Sequence, residues 1–197
     1  MEESKLSNPA VLGLTCFGLT TMLLNLHNIG LIKTFDPTIM GLGLFVGGLA
    51  QVIAGSMEFK KGNTFGTTAF LAYGTFWISL VFVVLANEKF GIEMSKTALG
   101  WYLFLWGVFT IFMMVGTFKV NRVLQVVFIT LTVLFFLLAI GNWTDSSGVI
   151  KVAGGIGIFT GFAALYLAMA ENLNEMYGKV VLPIWPATVD YKNPEDL

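Results

Sequence analysis

The chain has 197 residues, of which 56% are hydrophobic and 12% charged, with a formal net charge of −1 and a mean hydropathy of +0.79. Globular domains carry roughly 25% charged residues, so this composition argues against a soluble fold, and with no run of basic residues nucleic acid is not an expected partner. A single cysteine, Cys16, excludes an intrachain disulfide and a cysteine-based metal cluster within one subunit.

Six stretches hold no Asp, Glu, Lys or Arg: Leu6–Ile32, Pro37–Met57, Gly62–Asn87, Thr97–Phe118, Val123–Thr144 and Val152–Ala170. Each is long enough for a helix that crosses ~30 Å of hydrocarbon. The expectation is an all-α, polytopic membrane protein with six transmembrane helices, residues 1–178, followed by a short cytoplasmic tail, residues 179–197. Met1-Glu2-Glu3-Ser4-Lys5 is acidic, and the apolar run after it exceeds a signal h-region, so the first span is expected to stay in the mature protein.

The first span opens with Asn8-Pro9, the third with Asn63-Thr64 and the fifth with Asn121-Arg122. Asn is a preferred N-cap and Pro suits the first helical position. Three helix N-termini beside Lys60, Lys61, Lys119 and Arg122 suggest a weakly positive vestibule, although ordinary capping explains each Asn alone. Phe17 lies nine residues after Asn8, Tyr73 ten after Asn63 and Leu131 ten after Asn121. At ~1.5 Å per residue all three sit roughly 13–15 Å deep, near the midplane. Phe70, Phe76 and Phe128 lie nearby, so depth alone does not select the three.

His27, near the far end of the first span, reads first as a hydrogen-bonded structural residue and second as a pH-sensitive lining group. Asn25 and Asn28 share a helix face and suit either a pore lining or a bridge between helices. Gln51 in the second span and Gln125 in the fifth read first as interhelical hydrogen-bonding residues and second as pore lining. Gly43/Gly47 and Gly157/Gly161 allow close helix approach, with packing inside one subunit the expected use and a subunit interface the alternative.

Basic residues divide into Lys5, Lys60, Lys61, Lys119, Arg122, Lys179 and Lys192 on one side and Lys33, Lys89, Lys96 and Lys151 on the other. The positive-inside tendency then puts both termini in the cytoplasm. Trp101, Tyr102 and Trp143 fall where interfacial aromatics belong on the outer side, and Tyr177 on the inner. The prolines after Gly178, Pro183, Pro186 and Pro194, break any continuous helix there. The charge-free stretches hold no acid–base pair, and no nucleophile stands with a base, so no enzyme activity, metal site or cofactor is expected.

Asn8-Pro9-Ala10-Val11-Leu12-Gly13-Leu14 resembles the signature of the acetate uptake transporter (GPR/FUN34/YaaH) family, whose pattern has Pro where this chain has Val11. The likeness continues through Phe17–Thr21, Leu24–Asn28, Lys60–Gly66, Tyr73–Trp77, Leu131–Phe135 and Tyr166–Met169, close to the bacterial succinate–acetate permeases. The resemblance implies a six-helix protomer with its own pore, assembled as a homo-hexamer in the cytoplasmic membrane, that passes acetate and other small carboxylates, succinate among them. It implies a constriction at Phe17, Tyr73 and Leu131, and a substrate path touching Asn8, Pro9, Ala10, Leu12, Gly13, Leu14, Thr20, Thr21, Asn25, Asn28, Asn63 and Thr64. The competing expectation is a structural or assembly membrane protein without transport activity.

Overall fold

The structure, a computed structural model, describes residues 7–187. Lys5, Leu6, Lys192 and Pro194, named above, lie outside the described residues. Six helices are long and apolar enough to cross a membrane: α1 (Pro9–Asn28), α2 (Pro37–Lys60), α3 (Thr64–Phe90), α4 (Lys96–Thr117), α5 (Arg122–Trp143) and α6 (Ser147–Tyr177). The chain is thus a multi-pass membrane protein.

Each helix starts at a side-chain cap that satisfies a backbone N–H left without an intrahelical acceptor. Asn8, Asn63 and Asn121 cap α1, α3 and α5 by accepting from Ala10, Gly66 and Leu124 N–H at 3.2, 3.1 and 2.7 Å. Asp36, Ser95 and Ser146 cap α2, α4 and α6. The Asp36 carboxylate is held below the ordinary aspartate range by the Thr38 hydroxyl and then by the Thr38 N–H. Gly91 and Gly178 take left-handed conformations after α3 and α6, where a Cβ would be strained.

The helices close into a ring: α1 packs on α6, α6 on α5, α5 on α4, and α2 bridges α1 and α3. The backbones of α3 and α4 scarcely meet. Their seam is filled by rings instead, with Tyr73, Phe76, Tyr102, Trp106 and Phe109 in successive edge and stacked contacts and a 2.7 Å hydrogen bond between Ser79 and Tyr102. In lipid there is little hydrophobic drive between helices, so such packing and polar contacts carry the association.

Small residues set the tightest approaches, all inside the protomer. A Cβ on Gly18 would lie 2.7 Å from the Gly161 carbonyl oxygen, and one on Gly157 would collide with the Asn25 amide. On α2, residues Leu42–Ala50 form a π-helical segment, a widened turn uncommon outside functional or strained places. It lets Gly47 receive Thr20, whose hydroxyl donates to Cys16 O at 2.8 Å.

After Gly178 the chain folds back beneath the bundle. Asn174 accepts from the N–H groups of Val181 and Leu182 at 2.6 and 3.0 Å, Tyr166 donates to Pro183 O, and Arg122 N–H donates to Trp185 O at 2.9 Å. Ile184 packs on the core. We call the end of the bundle where α1 begins and this segment lies the lower end.

Candidate functional site: two cavities on the bundle axis

A cavity of about 230 Å³ opens at the lower end. Its mouth carries Asn8, Asn63 and Glu171, its wall Ala10, Leu14 and Gln51, and its floor Phe17, Tyr73 and Leu131. A second cavity, about 410 Å³, opens at the upper end, with Lys96, Lys151, Asp145, His27 and Asn28 around it and Leu24, Leu80, Leu103 and Leu138 among its apolar lining. The two share no lining residue.

The partition between them has the same height on three helices. Phe17 and Leu24 on α1, Tyr73 and Leu80 on α3, and Leu131 and Leu138 on α5 are each seven residues apart, hence on one helix face and about 10 Å apart along it. Phe17 and Tyr73 rings lie 5.9 Å apart. One turn higher, Phe76 meets Phe135 edge-to-face at 5.3 Å and Trp106 at 5.1 Å. Tyr73 is part of this apolar partition despite its hydroxyl, which lies 2.9 Å from Thr110 Oγ1. Thr110 gives its own proton to Trp106 O at 2.7 Å, so Tyr73 is the donor and its O–H points into the α4 seam.

The lower mouth carries a polar network. Asn8 Oδ1 accepts from Ala10 N–H and from Lys61 Nζ at 3.4 Å, which turns Asn8 Nδ2 to Glu171 Oε2 at 2.9 Å. Asn63 Nδ2 donates to Glu58 Oε2 at 2.8 Å. At the upper mouth Lys96 pairs with Asp145, Lys151 stays exposed, and His27 donates from Nδ1 to Ile32 O at 2.9 Å while packing on Phe35. The upper mouth therefore carries the net positive charge, and the lower one carboxylates.

Of the residues named from sequence, Asn8, Ala10, Leu14, Phe17, Asn63, Tyr73 and Leu131 line the lower cavity and Asn28 the upper. The other residues of the expected substrate path line neither. Pro9 is buried, Leu12 and Thr64 face outward, Gly13 backs onto the Phe70 ring and Thr20 onto Gly47. Asn25 is sealed against α6, donating to Thr21 O and accepting from Asn28, and Thr21 Oγ1 is buried without a partner among the described residues. Gln125 bridges helices, accepting from Arg122 and donating to Thr117 O. Gln51 does not: it lines the lower cavity, and its Oε1 has no partner among the described residues.

Glu58 and Glu171 were not among the path residues expected from sequence, because each lies one residue beyond a charge-free stretch; Glu171 read only as a residue at the inner end of the last span. Both remain on helices. The spacing of Glu58 held a clue, since it stands seven residues after Gln51 and so shares its face.

The profile of the GPR1/FUN34/yaaH family matches residues 1–188. The succinate-acetate/proton symporter SatP of Escherichia coli (strain K12) is 55% identical over 186 residues, covering 93% of this chain and 98% of that one. Acetate permease A of Emericella nidulans is 35% identical over 202 residues, 93% of this chain and 67% of the other. A solved structure of the bacterial acetate channel SatP superposes with a TM-score of 0.89 at 55% identity, covering 91% of this chain and 99% of that chain.

Proposed function

The chain belongs to the GPR1/FUN34/yaaH family, and we propose that it carries acetate and related small carboxylates, succinate among them, across the cell membrane along the axis of its own helix bundle. It is a transporter rather than an enzyme, as its relatives are named symporter, permease and channel.

The observation that carries this reading is the pair of cavities facing each other across a partition of equal height on α1, α3 and α5. A small carboxylate enters the upper cavity, drawn by Lys96 and Lys151, passes the constriction of Phe17, Tyr73 and Leu131, and leaves past Gln51 and Asn8. Among the described residues no cationic side chain lines the partition, so the solute is held weakly and released quickly. Side-chain rotation of Phe17 and Leu131 opens the way, and the size of the gap sets which acids pass.

The lower end is cytoplasmic in this account, following the distribution of Lys and Arg. Residues 1–178 act as the transport domain and 179–197 as a cytoplasmic tail. The outward faces of α2 and α4, with Phe45, Ile53, Leu105 and Phe112 exposed, serve lipid and the neighbouring subunits of a homo-hexamer. Uptake of radiolabelled acetate into proteoliposomes tests the function. Flux above protein-free liposomes, inhibited by unlabelled succinate, is the expected result; flux equal to that of protein-free liposomes contradicts it.

A further inference from the structure

The lower cavity holds a buried amide whose bonding capacity is unspent among the described residues. Gln51 is 1% exposed and lines the cavity, where the π-helical segment of α2 returns to regular α-helix. Gly47, one turn earlier, lies against Thr20, so α2 runs close to α1 at this level. The Gln51 Oε1 is buried with no hydrogen-bond partner among the described residues. Its Nε2 enters none of the bonds at the mouth.

The neighbouring polar groups are committed elsewhere. Asn8 is held by Ala10 N–H, Lys61 and Glu171, and Asn63 by Gly66 N–H and Glu58. Of ionisable groups, α3 brings Tyr73, whose proton lies on Thr110, and α6 brings Glu171 at the mouth. On α2 itself Glu58 stands two turns below Gln51 and takes the Asn63 amide. The lining residues of α1 and α5 carry no charge. A buried amide left unpaired costs free energy, and a ligand that pairs both its ends recovers that cost.

An amide side chain donates through N–H and accepts through C=O. A neutral carboxylic acid matches it twice: the acid carbonyl takes the Nε2–H, and the acid O–H goes to Oε1. A carboxylate meets only the Nε2–H and leaves Oε1 unpaired. It also brings its charge among Leu14, Phe17, Ala69 and Phe70, in a cavity whose lining holds no ammonium group. A primary amide matches Gln51 as the acid does, through one C=O and one N–H. The partition asks for the same neutrality. Phe17, Phe76, Leu131 and Phe135 offer no donor, and about 10 Å of such lining would strip a carboxylate of hydration without replacing it.

Resting on the transport reading above, we propose that Gln51 is the specificity-determining residue of the lower cavity, where paired hydrogen bonds select neutral molecules bearing a carboxylic acid or a primary amide on a short alkyl chain. Short primary amides such as acetamide are thereby a second ligand class. The acid and its anion exchange a proton with water at either mouth. The anion therefore gathers at the upper mouth while the neutral acid occupies this site.

Saturation-transfer NMR on the solubilised full-length protein, with acetamide as the probe, tests the site without any flux. Wild type is expected to transfer saturation to the acetamide methyl protons, and acetate to displace acetamide far better at acidic than at alkaline pH. N,N-dimethylacetamide, which has no N–H to give, is expected not to displace it. Gln51→Met keeps the length of the side chain and loses both bonds. It is expected to weaken acetamide binding roughly tenfold or more, as the loss of two neutral hydrogen bonds implies. No transfer in wild type, equal transfer in Gln51→Met, or equal displacement by acetate at the two pH values overturns the proposal. If Gln51→Met does not fold, the wild-type displacements decide. In proteoliposomes an acetamide gradient is expected to swell wild-type vesicles faster than protein-free ones. Equal swelling beside measurable acetate uptake overturns passage of the second ligand class and leaves the transport reading standing. Acetate uptake no faster than in protein-free liposomes counts against the transport reading alone, since binding is read without flux.

Discussion

The Tyr73 hydroxyl donates to the Thr110 hydroxyl at 2.9 Å, and this bond makes a phenol on the bundle axis part of an apolar partition. The phenol's one donor is spent on α4. The ring remains as a steric element, fixed from behind by Trp106 and Phe109.

Thr110→Val leaves the Tyr73 O–H unpaired in a fully buried seam. A lower thermal midpoint in detergent is expected, corresponding to about 1–3 kcal/mol. Tyr73→Phe removes both the donor and its need, costs less, and keeps the acetate preference. A Tyr73→Phe protein that folds but loses acetate flux would show that the hydroxyl serves the substrate.

Leu131→Ala and Phe17→Ala each open the floor of the lower cavity. Each is expected to cost about 2–5 kcal/mol of stability, the usual range for emptying a buried site, and to raise uptake of larger acids relative to acetate. Competition by acids of increasing size measures the ratio; an unchanged ratio removes these residues from the constriction.

Lys151→Glu reverses charge at the upper mouth, where Lys96 is already paired with Asp145. Slower uptake from that side is expected, with the deficit shrinking as ionic strength rises and screens the mouth. A deficit independent of salt would mean that Lys151 acts through local structure instead.

Gly157→Ala places a methyl group where the Asn25 amide lies. Overpacking of this kind costs about 1–3 kcal/mol, so a lower yield of folded protein and a lower thermal midpoint are expected. An unaffected midpoint would show that α1 and α6 can separate at this level without cost.

Local rules made much of this fold legible. Asn8, Asn63 and Asn121 cap the helices as their residue type suggests, and counting inward from them placed Phe17, Tyr73 and Leu131 at one depth. The family pattern was needed to choose those three from Phe70, Phe76 and Phe128. Side-chain direction was not legible, because a helix hydrophobic all round has no periodic stripe to mark its inner face. Hence Leu12 and Thr20 read as path residues although they turn away, and Gln51 read first as a bridge and only second as the cavity lining it is. The return of residues 179–187 onto the bundle was hidden too, since it depends on Asn174 catching backbone groups seven and eight residues on.

The account's central claim is that solute crosses at the level of Leu131. Leu131→Cys, reacted with a bulky thiol reagent in proteoliposomes, tests it most directly, because the native Cys16 is buried and wild type serves as the control. Labelled Leu131→Cys is expected to lose acetate uptake while reagent-treated wild type keeps it. Full uptake after complete labelling of Cys at this position would contradict a passage along the bundle axis.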